Sequence, residues 1–122
     1  MRIIVVKPQM EPTIRHISGS LASMQDVVGG TIQAMYPYDD AVALVANDEG
    51  KVLGLPMNRA LRDDDGAVYD IVHGTFFICG LSEDSFASLT DEQLHRFMRI
   101  YATPELFLRM NNQIVILPML DQ

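Results

Sequence analysis

The chain has little cysteine, no cluster of basic residues and no long apolar run, and each shortage excludes a class of protein. Its one cysteine, Cys79, cannot build a disulfide framework and supplies at most one metal ligand. Cys79 lies in an apolar strand-like run, which predicts a small buried hydrophobe rather than a reactive thiolate. The apolar run near the N-terminus, Ile3 to Val6, is too short for a signal peptide or a membrane span. We therefore expect a cytoplasmic protein that does not contact a membrane.

Charge excludes a second class. Lys and Arg number 9 against 16 Asp and Glu, which gives a net charge of −7, and the basic residues are dispersed along the chain. A non-specific nucleic-acid binder needs a concentrated cationic face to displace counterions from phosphates. We expect no direct nucleic-acid binding. The acidity serves solubility or presents a surface to a basic partner protein.

Familiar catalytic motifs are missing as well. The chain contains no Gly-x-Gly-x-x-Gly string, P-loop, nucleophile elbow or zinc-spaced Cys/His set. Gly29-Gly30 precedes a strand pattern rather than a helix N-terminus, so it does not form the usual phosphate cradle. The Asp63 to Gly66 turn lacks the spacing of an EF-hand. We predict no catalytic residue, no metal and no cofactor, and the sequence leans away from an enzyme.

The length of 122 residues and the 48% apolar content predict one domain over residues 1–122 with an ordinary core. Ser20 caps a predicted helix that Gly29-Gly30 ends. Thr90 and Gln93 form a capping box for a second helix, and Thr103-Pro104 starts a third. Strand patterns cover residues 2–7, 13–18, 31–36, 41–46, 51–55, 68–72, 75–81 and 114–117.

The strand patterns bunch together instead of alternating one-for-one with helices. This order predicts the α+β class, a single domain with a mixed or mainly antiparallel sheet, one N-terminal helix and two C-terminal helices. Residues 56–61 are predicted to be irregular or a single helical turn, and to be exposed. The apolar tail Ile114 to Leu120 either folds onto the sheet or pairs with a second copy, which would make a homodimer.

One string is distinctive: Gly-Leu-Pro-Met-Asn-Arg-Ala-Leu at residues 54–61. Together with Gly29-Gly30 and segments 36–40, 47–53, 71–80 and 88–93, it resembles the domain-of-unknown-function family numbered 3846, small proteins of phages, plasmids, other mobile elements and their bacterial hosts. The resemblance covers residues 1–100 and leaves a predicted C-terminal helix and strand, residues 101–122, outside. It implies a setting rather than a chemistry: an accessory protein of a mobile element, including one that interferes with host defence.

Five residues form the candidate ligand site: Asn58, Arg59, His73, Thr75 and Tyr36. An exposed arginine clamps a phosphate or carboxylate, with Asn58 adding a donor and an acceptor. His73 is next to a glycine, which would let a ligand approach closely, and Tyr36, like Tyr38, would stack on a base. Each has a structural alternative: Asn58 caps a turn, Arg59 pairs with an acid of the 63–65 turn, His73 satisfies a turn, and the tyrosines pack at a strand end.

Three functions follow as hypotheses. The leading one is a non-enzymatic accessory protein of a phage or mobile element that binds a host protein, with counter-defence as its purpose. The alternative is a protein that binds or sequesters a small nucleotide-type signal, for which the five residues would converge on one pocket. The third is an uncharacterised enzyme using Asp39, Asp40 or His73 as acid or base.

Overall fold

The computed structural model describes residues 1–120. The predicted domain of residues 1–122 extends further, and Asp121 and Gln122 lie outside the described residues. Within the described range the elements are, in order, β1 (Arg2–Val6), β2 (Thr13–His16), α1 (Leu21–Val28), β3 (Ile32–Met35), β4 (Val42–Asn47), β5 (Met57–Arg62), β6 (Val68–His73), β7 (Phe76–Leu81), β8 (Phe86–Ala87), α2 (Asp91–Ile100), β9 (Glu105–Met110) and β10 (Gln113–Pro118).

The main sheet has the strand order β2-β1-β7-β4-β3, with β8 pairing to β7 beside this path. All of its pairs are antiparallel. The prediction of a mainly antiparallel α+β fold is confirmed, and β2 is an edge strand. β1, β4 and β7 are continuous apolar runs because they occupy the centre of the sheet, where both faces are covered.

Alternate residues of the central strands supply two separate cores. Helix α1 covers one face through Met24 and Val28. Helix α2 and the β5–β6 hairpin cover the other through Leu94, Phe97 and Leu61. The first core contains Ile3, Val5, Ala43, Val45, Phe77 and Cys79, and the second contains Ile4, Val6, Val42, Leu44, Phe76 and Ile78.

The caps of both described helices follow the predictions. The Ser20 side chain accepts a hydrogen bond from the Ser23 N–H, and Gly29 ends α1 in the left-handed conformation at φ 76°. At α2, Thr90 and Gln93 form the complete capping box. Leu21, the first residue of α1, is 56% exposed.

The predicted helix starting at Thr103-Pro104 is wrong. Residues Glu105–Met110 form β9, which pairs with β10 as a separate two-stranded hairpin. Asn111 and Asn112 make its two-residue turn, with φ values of 52° and 65°. Two successive positive φ values are characteristic of the type I′ hairpin turn, in which asparagine is favoured. The Asn-Asn pair therefore marks a strand reversal rather than a helix end.

The predicted strand at residues 51–55 and the irregular segment at 56–61 are also wrong. Residues 51–54 form turns. The turns are held by hydrogen bonds from the Leu53 N–H to the carbonyl of Glu49 and from the Leu55 N–H to the carbonyl of Gly50. The strand that follows is β5, paired with β6 through the predicted turn at residues 63–66. Register shifts at Met57/Arg59 and Leu61/Arg62 mark β-bulges, and a bulged strand loses the two-residue periodicity by which strands are recognised.

No helix in residues 1–120 has the length and apolar character needed to cross a membrane.

The buried thiol yields a testable prediction. Cys79 is 0% exposed, and burial raises its pKa to about 12, so almost no thiolate exists near neutral pH. A thiol reagent at pH 8 should label Cys79 only in denaturant, which mass spectrometry can follow. Labelling of the native protein as fast as that of the denatured protein would contradict the strand packing described above.

Candidate functional site

The predicted site residues lie in different parts of the molecule. Asn58 and Arg59 are 0% and 2% exposed, so the expectation of an exposed segment is wrong. Arg59, His73 and Tyr36 line three different cavities. Thr75 is half-buried directly before β7. A binding role for these residues stays a prediction, and Arg59 is the one placed in the cleft described below.

Asn58 holds two chain segments with one side-chain amide. Its Nδ2 donates to the carbonyl of Val6, at 2.9 Å, and to that of Gly74, at 2.8 Å. Its Oδ1 accepts from Arg59 Nη1 at 2.9 Å. These contacts join β5 to the end of β1 and to the β6–β7 turn. Asn58 is thus a structural residue with all of these polar contacts inside the protein.

Arg59 continues this network with main-chain oxygens. Nη1 donates to the carbonyl of Asn58 at 3.2 Å, while Nη2 donates to Met10 at 2.8 Å and to Tyr101 at 3.1 Å. Its partners are these carbonyls and the Asn58 amide rather than an acid of the 63–65 turn. Within residues 1–120 no carboxylate forms an ion pair with Arg59, and Nε has no hydrogen-bond partner.

Burial lowers the pKa of Arg59, and the charge of Glu105 acts in the opposite direction. The pKa of a guanidinium is so far above neutral pH that the group stays charged in proteins. Arg59 is therefore a buried cation. Its charge is solvated by neutral oxygens, but no anion among the described residues cancels it.

Beside Arg59 lies a cleft of about 550 Å³, which we term the arginine cleft. It lies between the β5–β6 hairpin on one side and the end of α2 and the β9–β10 hairpin on the other. Its lining combines charged, aromatic and apolar side chains: Arg59, Arg62, Glu105, Thr103, Tyr38, Tyr69, Tyr101, Pro37, Ala60, Leu61, Ile100, Ile116 and Pro118.

One ion pair fixes the cleft wall. Glu105 Oε2 accepts from Arg62 Nη2 at 2.8 Å, and Glu105 Oε1 accepts from the Ala60 N–H at 2.9 Å. This carboxylate attaches β9 to β5. Among the lining residues the charged ones are Arg59, Arg62 and Glu105, so two cations and one anion leave a net charge of +1. The cleft is thus positive in a chain whose net charge is −7.

Two tyrosine hydroxyls meet in the cleft. Tyr38 Oη and Tyr101 Oη form a hydrogen bond, and burial raises the pKa of both groups, so both are protonated at neutral pH. Edge-to-face contacts fix the rings, with centroids 4.9 Å apart for Tyr38 and Phe97 and 5.4 Å for Phe76 and Tyr101. Neither hydroxyl has a second partner within residues 1–120, so one of the two protons has no acceptor among these residues.

Asp40, one of the acids considered as a catalytic group, is held by hydrogen bonds to other residues. Asp40 accepts hydrogen bonds from Gln93, Ala41 N–H and Arg96, and the Gln93 contact is the main cause of its lowered pKa. A carboxylate in that state is a poor proton acceptor near neutral pH. Asp39 is exposed. These contacts position the start of α2 against the loop before β4.

His73 lies at a second cavity. Its Nδ1 is 2.9 Å from the carbonyl of Leu55, and the same cavity is lined by the ion-paired Lys51 and Asp70. An Nδ1 that donates to a carbonyl leaves Nε2 as an acceptor. Within residues 1–120 no three His, Cys, Asp or Glu side chains are grouped as metal ligands would be.

Sequence reasoning missed most of the cleft. Arg62 is paired with Glu105, which lies in a segment predicted to be helical. Tyr101 is the C-cap residue of α2, and Tyr69 lies in a segment predicted only as a strand. The tyrosine that enters the cleft next to Pro37 is Tyr38 rather than Tyr36.

The fold and the site thus define an α+β protein with a positive cleft beside a buried arginine. Residues 1–102 match the model of a family described as Domain of unknown function (DUF3846), so the chain belongs to this family. The resemblance predicted over residues 1–100 is confirmed. No curated protein and no solved structure matches the chain significantly. The matched part contributes Arg59, Arg62 and Tyr101 to the cleft, while Glu105 and Ile116 come from beyond it.

The network predicts a large effect on stability. Arg59→Met removes the donors of the buried Asn58 side-chain oxygen and Tyr101 carbonyl, and each stranded buried acceptor costs about 1–3 kcal/mol. We expect the free energy of unfolding to fall by roughly 3 kcal/mol in urea denaturation. Lys51→Met is the matched control, because its exposed ion pair is worth under about 1 kcal/mol. Equal losses for both variants would contradict the structural role of Arg59.

Proposed function

We propose that this protein is a binding protein without chemistry of its own, which holds a small anionic ligand with a flat apolar body in the arginine cleft. The observation that carries the proposal is the charge of the lining, +1 in a chain of −7, supplied by a buried arginine without a carboxylate partner. A nucleotide-type signal is the first ligand class to test, and sequestering that signal is the biological role.

Electrostatics support an anion at this place. The Arg59 guanidinium is 2% exposed, so water screens its field poorly on the side of the cleft. A cleft whose lining carries a net positive charge attracts anions. An acidic protein repels anions elsewhere on its surface, and this contrast directs an anion toward the cleft.

The remaining lining supplies contacts. Arg62 is 43% exposed at its side chain and uses one Nη to bind Glu105, so it keeps donors for a phosphate or carboxylate. The tyrosine hydroxyl pair adds one further donor. The Tyr69 side chain is exposed and offers a ring face on which a base stacks.

The family and the size of the chain favour an accessory role. In the mobile-element setting that the resemblance implies, a small cytoplasmic protein that removes a host signal by stoichiometric binding needs no catalytic group. This step is an argument from association with that setting.

A second candidate function is binding of a host protein, and one observation favours it. In the β9–β10 register, Leu106, Leu108, Met110, Val115 and Leu117 share one face, opposite the face with Glu105 and Ile116 that lines the cleft. Leu108, Met110 and Leu117 are 38%, 54% and 43% exposed. An exposed apolar face of this kind marks a contact surface for a protein or a second copy.

This second candidate predicts a discrete partner. Pull-downs from bacterial lysates with the wild type should recover one protein that a Leu108→Lys, Leu117→Lys variant loses, because charges interrupt the apolar face. Sedimentation of the purified wild type tests the homodimer separately. Equal recovery by both proteins, or recovery of nothing across several hosts, counts against the host-protein role.

The ligand proposal is tested with a panel of nucleoside monophosphates, cyclic nucleotides and benzoate. At least one anion should raise the melting temperature, and Tyr69→Ala should weaken its binding about tenfold in calorimetry, since one stacked base contributes about 1–3 kcal/mol. Tyr36→Ala is the matched control, because Tyr36 is 62% exposed and lines another cavity. A panel in which no anion shifts the melting temperature contradicts the proposal.

A further inference from the structure

We infer that Glu105 determines the charge of the ligand, restricting the arginine cleft to monoanions such as a carboxylate or a phosphodiester and rejecting phosphomonoester dianions. The inference rests on the proposed function, because it presupposes that the cleft binds an anion. It adds the chemical class of the anion and the residue that selects it.

The Glu105 carboxylate is a fixed part of the wall. Glu105 is 8% exposed, and each of its oxygens has its own donor, the Ala60 N–H for Oε1 and Arg62 for Oε2. Glu105 is also the first residue of β9, so withdrawing the carboxylate would break both of its contacts with β5. The negative charge therefore stays in place when a ligand enters.

The charge count gives the selectivity. Without Glu105 the lining would carry +2 from Arg59 and Arg62, and with it the lining carries +1. A monoanion brings the total to zero. A dianion leaves one uncompensated negative charge in the cleft, beside a carboxylate that shares Arg62 with it. Rejection by a like charge already in the wall is a general route to specificity.

The position of Glu105 in the chain adds a second point. The family match ends at residue 102, and both arginines lie inside it, whereas Glu105 follows it. The segment after the matched domain thus lowers the charge of a cleft whose cations belong to that domain. We place the ligand-selecting element of this protein in its C-terminal hairpin.

The experiment compares methyl phenyl phosphate, a monoanion, with phenyl phosphate, a dianion at pH 8, and includes benzoate. Affinities are measured by NMR titration of the full chain. The wild type should bind methyl phenyl phosphate at least tenfold tighter than phenyl phosphate. Glu105→Gln, which keeps an oxygen for the Ala60 N–H, should abolish this preference and improve phenyl phosphate binding at least tenfold. Asp70→Asn is the control, since it changes the net charge equally at another cavity.

The outcomes separate the two claims. If none of the three anions binds, the proposed function and this inference both fail. If the wild type binds phenyl phosphate as tightly as methyl phenyl phosphate, the monoanion class is wrong while the cleft remains an anion site. If Glu105→Gln changes the ratio no more than Asp70→Asn, Glu105 is not the selecting residue. The wild-type ratio decides the charge class even where the variant does not fold.

Discussion

A positive charge buried among carbonyl oxygens organises this molecule. Arg59 can lie 2% exposed without a carboxylate partner only because its donors reach the main chain in three places, the β1–β2 loop, β5 itself and the end of α2. Burying a charge is costly unless its hydrogen bonds are made, so these segments must assemble together. Asn58 extends the constraint to β1 and to the β6–β7 turn. The same group that joins the β5–β6 hairpin to the sheet also gives the adjacent cleft its sign.

Much of the fold is legible in the sequence where a single local rule decides the structure. β1, β4 and β7 are continuous apolar runs, and the two described helices carry their caps in the residues themselves. The errors fall where local rules conflict with tertiary structure. β5 places two polar residues, Asn58 and Arg59, in the interior and is bulged, so it lacks the pattern of a strand. The positive φ of both Asn111 and Asn112 decides between a helix end and a hairpin, and residue identity does not fix φ.

The site is less predictable, because it exists only between elements that are distant in sequence. Arg59 could be selected from its polar setting in a distinctive string, although its exposure could not be judged. Arg62 and Glu105 meet only because β9 docks beside β5. Tyr38 and Tyr36 are equivalent as sequence features, yet they line different cavities. His73 and Thr75 show the opposite error. Their position on either side of a glycine suggested a shared site, but sequence context alone does not bring side chains together.

The most direct test of an anion site built on a buried cation is the side-chain Nε–H resonance of Arg59 in a titration followed by ¹⁵N NMR. In the free protein this proton should exchange slowly with water, because Nε is buried and has no partner within the described residues. An anion that binds in the cleft should shift this resonance together with the amide resonances of Tyr69 and Thr103. A rapidly exchanging Nε–H, or one that stays unmoved while amides far from the cleft shift, would contradict the account.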